Sequence, residues 1–193
     1  MKLFHNRETT TDIDVLIDPN VDADRDYRAT VLEAISAVSK AHGFAEDWIN
    51  DQLRIFVKDD LRMLLFLESV QQGVLVYDGV NLQIYAGRLD FALERKLRRI
   101  AQRQGNRNVD HDVSDALAIV HYMVSNDGCP LSKEECVGLD ENGFGLLIDE
   151  AAVDLVAARY LDKYGVQGIV MMGWDADAQK WRYQSLEGKW IYI

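Results

Sequence analysis

Residues 7–15 read Arg-Glu-Thr-Thr-Thr-Asp-Ile-Asp-Val, and this stretch decides the predicted fold. Residues 13–17 alternate with acids and are rich in β-branched side chains, which predicts a short strand that the turn signal Asp-Pro-Asn at 18–20 ends. Residues i and i+2 of a strand point to the same side, so Asp12 and Asp14 can reach one hard cation. The pair therefore predicts a Mg²⁺ site that leaves coordination positions for the phosphate oxygens of a nucleotide.

The residues around these acids supply candidates for the rest of a phosphate site. Arg7 is a candidate bidentate phosphate contact, and Thr10 and Thr11 are candidate hydroxyl donors. Asp78 is the candidate for a third carboxylate, although Asp78-Gly79 is also typical of a hairpin turn. Asp-x-Asp is by itself a short motif, and alternating acids are also typical of an exposed, solubilising strand face.

The amino-acid composition limits the classes to which the protein can belong. The chain has 193 residues, 48% of them hydrophobic and 27% charged, as in a folded globular protein. It has no long apolar run and no signal-peptide pattern, so we expect a cytoplasmic protein without a membrane partner. The net charge of -11 repels phosphate backbones, so we expect no general binding of nucleic acid. Cys129 and Cys136 lack CxxC spacing and are predicted to be free thiols.

Hydrophobic periodicity predicts four main helices, over residues 26–42, 90–104, 112–124 and 149–164. Asp112 is the predicted N-cap of the third helix, and Ser132 with Glu135 has the spacing of a capping box. Short β-rich runs predict strands at 64–67, 74–77 and 82–85, and three aromatic-rich segments after residue 168 predict a terminal β-meander. The run 45–59 has no clear period, and both helix and strand stay open for it.

These elements together predict an α/β (α+β) protein. We expect a mixed β-sheet flanked by helices, followed by a C-terminal helix and the β-meander. The predicted domains are a core over residues 1–128 and a C-terminal part over residues 129–193 that packs on the core.

Four motifs follow one another in the first two thirds of the chain. They are R-x-T-T-T-D-I-D at 7–14, Trp-Ile-Asn at 48–50, the run ending in Lys-Leu at 89–97, and DHDVSDAL at 110–117. This series resembles the R-x-T-x-D-I-D, W-L-N, K-L and R-D-x-x-D-[IL] motifs of small proteins with a polymerase-beta-type nucleotidyltransferase fold, related to the antitoxins of bacterial toxin-antitoxin pairs. The resemblance covers roughly residues 7–125.

The resemblance implies a nucleotidyltransferase-like fold in which Asp12 and Asp14 bind Mg²⁺. It implies that Lys96 contacts the nucleotide, that Asp115 is a further site or supporting residue, and that a nucleoside monophosphate passes from a triphosphate to a hydroxyl of a protein, an RNA or a small molecule. The family's Gly-Ser turn has no counterpart, since residues 1–11 contain neither Gly nor Ser. Whether the chain is an enzyme is therefore open, and the alternative is a catalytically degenerate, antitoxin-like module that binds a protein.

Other polar and aromatic patterns have simpler interpretations. His111 and His121 are expected to be hydrogen-bonded or packed rather than metal ligands. The basic residues between 95 and 107 predict a solvated helix face, on which Lys96 is more often ion-paired than bound to phosphate. The aromatic residues of the tail are expected to pack internally, and an exposed arrangement would instead indicate a homodimer contact.

Overall fold

The computed structural model describes residues 12–102 and 109–193, which belong to two compact units. The first unit comprises Met1–Arg88 with Glu141–Phe144, and the second comprises Leu89–Asp140 with Gly145–Ile193. This division differs from the predicted one at residue 128. The reason is that two helices between residues 89 and 127 pack, within the second unit, with a helix from the predicted C-terminal part.

In the first unit, helices alternate with short strands. In chain order the elements are β1 (Ile13–Asp14), α1 (Pro19–Ala23), α2 (Arg25–His42), β2 (Ile49–Asn50), a 3-10 turn (Gln52–Phe56), α3 (Asp59–Gln72), β3 (Leu75–Asp78) and β4 (Gln83–Tyr85). The strand predicted over residues 13–17 is present but shorter, at Ile13–Asp14, and the helix predicted over 26–42 is confirmed. The open run 45–59 holds one strand and one 3-10 turn.

The strands β1 and β2 form a parallel pair that positions the predicted metal ligands. Ile13 lies opposite Ile49, and Asp14 lies opposite Asn50. Parallel strands need a long crossover connection, and here α1 and α2 supply it. The indole of Trp48, which precedes β2, donates to the backbone carbonyl of α2 at residue 35 over 3.3 Å. The Trp-Ile-Asn motif thus lies on the strand next to the Asp-Ile-Asp motif.

Helix α3 contradicts the prediction of a strand at 64–67. The run is Leu-Leu-Phe-Leu, in which leucine is a good helix former and phenylalanine an intermediate one, and it contains no β-branched residue. The helix buries Leu65 and Ser69, which are one turn apart. An acidic first turn at Asp59 complements the helix dipole, and Gly73, with a φ of 71°, ends the helix.

The strands β3 and β4 form the antiparallel hairpin that the Asp-Gly signal predicts. The amide of Gly79 donates to the carbonyl of Leu82 over 2.9 Å and closes the turn. Asp78, the last residue of β3, lies opposite Gln83 and accepts a hydrogen bond of 3.0 Å from its side-chain amide. Asp78 therefore acts as a turn residue in this unit.

The second unit contains the longest helices and the terminal strands. Its elements are α4 (Leu89–Gln102), α5 (Val109–Asp127), β5 (Leu131–Ser132), α6 (Lys133–Gly138), α7 (Glu150–Tyr164), β6 (Ile169–Val170), β7 (Met172–Asp175), β8 (Lys180–Gln184) and β9 (Trp190–Tyr192). The three predicted helices of this region are confirmed with shifted ends. Ser132 caps α6 by accepting from the amide of Glu135, as the capping-box spacing predicts.

The core of the second unit is built from α4, α5 and α7, which pack on one another. Apolar side chains spaced three and four residues apart form the inward stripe of each helix. Those with no measurable exposure are Leu97, Ile100, Ala116, Val120, Ala152, Val153 and Val156.

Asp112 is not the N-cap that the sequence predicts. Helix α5 begins at Val109, so Asp112 lies inside its first turn, where it is 1% exposed. Its carboxylate pairs with Lys96 and Arg99 of α4, which offset the cost of burying the charge. In the sequence, an acid before an apolar run has the same appearance in two cases. Its side chain can cap the helix, or it can pair with a cation on a neighbouring helix.

The segment 169–174, predicted as one strand, is two strands in different sheets. β6 pairs in parallel with β5, whereas β7 starts the antiparallel sheet of order β7-β8-β9. Val170 lies opposite Ser132 and Met172 lies opposite Tyr183, so the chain changes partner at Met171. The predicted terminal meander is confirmed, with β7 as its first strand.

The mixed α/β class is confirmed. Residues 12–102 and 109–193 hold seven α-helices and four sheets of two or three strands. The β-structure of these residues is thus divided among small sheets, because most strands are short, where one mixed sheet was expected. Over the same ranges, no helix combines the length and apolar character that crossing a bilayer requires.

Candidate functional site

The two predicted metal ligands lie at β1. Asp12 directly precedes the strand, Asp14 is its last residue, and both side chains are exposed. The strand is held by backbone hydrogen bonds from Ile13 to the carbonyl of Trp48 over 2.7 Å and from Val15 to the carbonyl of Asn50 over 2.8 Å. Both carboxylates are therefore available to solvent on a backbone that a neighbouring strand fixes.

A small cavity of about 180 Å³, lined by both apolar and charged residues, lies beyond the carboxyl ends of β1 and β2. The chain that leaves each strand forms part of its wall. Ligands of α/β proteins commonly bind at this edge of a parallel pair, where the connections leave the strands. The lining residues are Leu16, Ile17, Pro19, Asp22, Asp51, Arg54, Asp59, Arg62 and Met63.

Arg28 holds two carboxylates of the cavity wall together. Its Nε donates to Asp22 over 2.7 Å, and its Nη2 donates to Asp51 over 3.1 Å. These two hydrogen bonds, the stronger one to Asp22, raise the pKa of the Arg28 guanidinium. This pairing offsets much of the negative charge that the two acids bring to the wall.

Two arginines line the cavity itself, and they differ in their partners. Arg62 of α3 donates from Nη2 to the carbonyl of Arg54 over 2.6 Å and forms an ion pair with Asp59 at 2.6 Å. Arg54, in the 3-10 turn, approaches Asp51 at 3.5 Å, and its side chain is 44% exposed. Arg62 therefore braces the turn, whereas the Arg54 side chain is partly exposed and has a longer ion pair.

The sequence-predicted nucleotide contacts fall in different places. Arg7, Thr10 and Thr11 lie outside the described residues. Lys96 lies on α4 in the second unit, where its ammonium contacts Asp115 at 2.7 Å and Asp112 at 3.3 Å. The two motifs that contain Lys96 and Asp115 are thus joined by an ion pair between α4 and α5, as the ion-paired interpretation of Lys96 expects.

A second buried ion pair stands one turn of α4 away from this cluster. Glu94 has no exposure, and its carboxylate accepts from Nε of Arg98 over 2.7 Å. Arg98 also donates from Nη2 to the carbonyls of Leu139 and Leu146 over 3.3 and 2.5 Å. Since Arg98 is tied to the backbone of the same unit, we assign this pair to packing of the unit.

The candidate for a third carboxylate does not line the cavity, because Asp78 belongs to the hairpin turn of β3 and β4. Among the side chains of residues 12–102 and 109–193, no three His, Cys, Asp or Glu gather in a way that could hold a metal ion. A cation bound at Asp12 and Asp14 would thus take its remaining ligands from water or substrate, as Mg²⁺ commonly does.

The two histidines of α5 are both exposed. The Nδ1 atom of His121 lies 3.1 Å from the hydroxyl of Tyr160, and its ring stacks on Tyr164 with centroids 4.2 Å apart. His121 therefore has the partners that the packed interpretation predicts, although it lies at the surface.

Sequence reasoning missed Asp51, Arg54 and Arg62, which line the cavity, and Arg28, which pairs with two of the lining acids. The available signal was the position of Asp51 and Arg54 directly after the Trp-Ile-Asn motif. Residues that follow parallel strands meet at one edge of the sheet, but the pairing of β1 with β2 had to be known first.

Neither a protein-family model, nor a curated protein, nor a solved structure matches this chain.

Proposed function

We propose that the chain is a nucleotidyltransferase-like protein that uses Mg²⁺ to transfer a nucleoside monophosphate from a nucleoside triphosphate to a hydroxyl of a protein, an RNA or a small molecule. The observation that carries the proposal is the pair of exposed carboxylates, Asp12 and Asp14, at a strand whose carboxyl end leads to the charged cavity. The pairing of the Asp-Ile-Asp strand with the Trp-Ile-Asn strand also supports it.

The carboxylates of Asp12 and Asp14 are chemically suited to bind a Mg²⁺ ion. Two exposed carboxylates are a typical protein contribution to Mg²⁺, which keeps waters and substrate oxygens as its other ligands. When bound, the ion offsets phosphate charge and helps to orient the α-phosphorus for in-line attack. Asp12 and Asp14 are the proposed ligands of this ion, and Arg7, Thr10 and Thr11 are the proposed donors to the phosphates.

In the proposed reaction, the acceptor hydroxyl oxygen forms a bond to the α-phosphorus of the nucleotide. The bond from that phosphorus to the oxygen bridging it to the β-phosphorus breaks, pyrophosphate leaves, and the hydroxyl proton passes to solvent. The chain's own contribution is to position the reactants and to place charge near the phosphates. The resemblance also implies a role for Lys96, which pairs with Asp112 and Asp115 within the second unit.

Thermal denaturation with ATP, GTP, CTP and UTP, each with and without Mg²⁺, tests the proposal. A nucleotide at a hundredfold its Kd stabilises the folded state by about 2.7 kcal/mol, which raises the melting temperature by several degrees. We expect such a shift with at least one nucleotide, dependent on Mg²⁺ and absent in Asp14→Asn. Asp162→Asn, at an exposed position of α7, is the matched control and should keep the shift.

The alternative, a degenerate antitoxin-like module that binds a protein partner, is favoured by one observation. Trp174 and Trp181 lie opposite each other on β7 and β8, and they are 51% and 49% exposed. Aromatic side chains are enriched at protein interfaces. Two results together would favour this alternative over the transferase. The first is the absence of a thermal shift with any nucleotide, and the second is self-association in sedimentation velocity that Trp181→Ser abolishes.

A further inference from the structure

Among the arginines at the cavity beyond the carboxyl ends of β1 and β2, Arg54 has the longest ion-pair distance. Arg28 has Asp22 and Asp51, and Arg62 has Asp59 and a backbone carbonyl. Over the described ranges, the charged partner of Arg54 is Asp51 alone, at 3.5 Å, and Arg28 shares that carboxylate at 3.1 Å. Arg54 therefore keeps donors that face the cavity or solvent.

The backbone at Arg54 is fixed, whereas its side chain is 44% exposed. The Nη2 atom of Arg62 donates to the carbonyl of Arg54 over 2.6 Å and ties the 3-10 turn to α3, and the same atom pairs with Asp59 at 2.6 Å. A fixed backbone lowers the entropy cost of binding, since fewer degrees of freedom must be ordered. Arg62 is thus a positioning residue for Arg54.

The size of the cavity and the donors of Arg54 favour a phosphate chain over a base. Its volume of about 180 Å³ is below the range of roughly 300–1,000 Å³ typical of pockets that enclose a drug-sized ligand. Five of its nine lining residues are charged, three aspartates and two arginines, and Arg28 pairs with two of these aspartates. A guanidinium offers parallel N–H donors that match two phosphate oxygens.

We propose that Arg54 binds the terminal phosphates of the nucleoside triphosphate in this cavity. The inference rests on the proposed function and names the part of the chain that holds the triphosphate. The shared chemistry is a phosphate chain, so inorganic triphosphate is expected to bind at the same place as the tail of the nucleotide.

Calorimetric titration of the full chain with the preferred nucleotide, with inorganic triphosphate and with the nucleoside alone, all in Mg²⁺, tests this assignment. Arg54→Gln should weaken the binding of both triphosphates by about tenfold or more, because one charge-assisted contact is lost. Arg54→Lys should recover part of the affinity, since the charge returns without the fork of donors. The nucleoside should not bind detectably to any form.

Lys40→Gln is the matched control, because it removes the same charge from an exposed position at the end of α2. It should change the affinity for either triphosphate by less than about twofold, as expected of a screened surface charge. Equal melting temperatures of the wild type and Arg54→Gln without ligand would show that the variant is folded.

The outcomes separate the two proposals. Nucleotide binding that Asp14→Asn abolishes and Arg54→Gln leaves within twofold of Lys40→Gln would overturn the role of Arg54 and leave the proposed function in place. Binding of inorganic triphosphate that depends on Arg54, without any nucleotide binding that depends on Asp14, would support the anion site and overturn the transferase. Binding of neither triphosphate to the wild type would overturn both.

Discussion

The two cysteines show how the surroundings of a thiol determine its pKa and its reactivity. Both are free thiols, as the sequence predicts. Burial, together with the nearby charges of Glu135 and Asp90, raises the pKa of the Cys136 thiol to about 12, while Cys129 is half-buried. At pH 8 the thiolate fraction of Cys136 is then about one in ten thousand, and the thiolate is the reactive form.

We therefore expect a chromogenic disulfide reagent at pH 8 to modify Cys129 and to leave Cys136 unmodified until the chain unfolds. The measurement is the number of thiols released with and without guanidinium chloride. Cys129→Ser should abolish the reaction of the folded protein. Fast modification of Cys136 in that variant would contradict the assigned burial.

Asp175, at the end of β7, gives the meander a dependence on pH. The amide of Ala178 donates to it over 3.0 Å, the hydroxyl of Tyr192 over 2.9 Å, and Arg182 pairs with it at 2.7 Å. These contacts, with the Ala178 amide foremost, lower the pKa of the Asp175 carboxyl below its usual value of 3.8. Its stabilisation is therefore complete above pH 3.8 and is lost as the pH falls through the lowered pKa.

We expect Asp175→Asn to destabilise the chain at pH 7 and to differ less from the wild type at pH values below the lowered pKa. Urea unfolding followed by tryptophan fluorescence at both pH values measures the difference. Asp177→Asn in the same turn is the control, and it should unfold like the wild type. A difference between Asp175→Asn and wild type that grows as the pH falls would be incompatible with this account.

At the scale of elements, the join between α7 and the β5–β6 pair depends on one glycine. A Cβ added at Gly168 would lie 2.5 Å from two ring carbons of the buried Tyr160, and the carbonyl of Gly168 accepts from the amide of Leu131 over 2.9 Å. The ring cannot move far without leaving the core, so the space must stay empty.

Gly168→Ala is expected to destabilise the chain by about 1–3 kcal/mol, the usual cost of overpacking a core. The change in urea midpoint measures it. Gly138→Ala is the control, since an added Cβ there meets no atom within 4 Å, and it should leave the midpoint unchanged or slightly higher. Equal midpoints for the two variants would refute the predicted clash.

The ion-pair cluster of Lys96, Asp112 and Asp115 joins α4 to α5. Removing the carboxylate of Asp112 leaves Lys96 and Arg99 with fewer partners beside a buried site, so Asp112→Ala should cost roughly 3 kcal/mol. Asp110 lies in the same first turn of α5 and is exposed. Asp110→Ala should lower the free energy of unfolding by about 0.5 kcal/mol, because its favourable interaction with the helix dipole is lost. Urea unfolding compares the two, and similar midpoints would exclude a structural role for the cluster.

The elements show which sequence signals suffice and which do not. Helices α2, α4 and α7 were predictable because their apolar periodicity and end signals agree. The run 64–67 was wrongly predicted as a strand because four apolar residues in a row have no period of their own. The role of Asp112 was missed because a side chain that meets a cation on another helix leaves no local signal.

At the scale of the whole molecule, the sequence predicts the α/β class and makes Asp12 and Asp14 candidate metal ligands, but it does not predict the assembly of the candidate site. These two acids stand out because their spacing is local. Arg28 lies on α2, Asp51 and Arg54 lie at the 3-10 turn, and Arg62 lies on α3. They meet within one compact unit through strand pairing and helix packing that no motif encodes.

The most direct test of the central claim is the binding of Mn²⁺, an oxygen-seeking substitute for Mg²⁺, measured by electron paramagnetic resonance in the presence of the four nucleoside triphosphates. Protein-bound Mn²⁺ should appear with the wild type and with Asp162→Asn, and it should disappear with the double variant Asp12→Asn, Asp14→Asn. Bound Mn²⁺ at the same level in the double variant would contradict the assignment of these two carboxylates as the metal site.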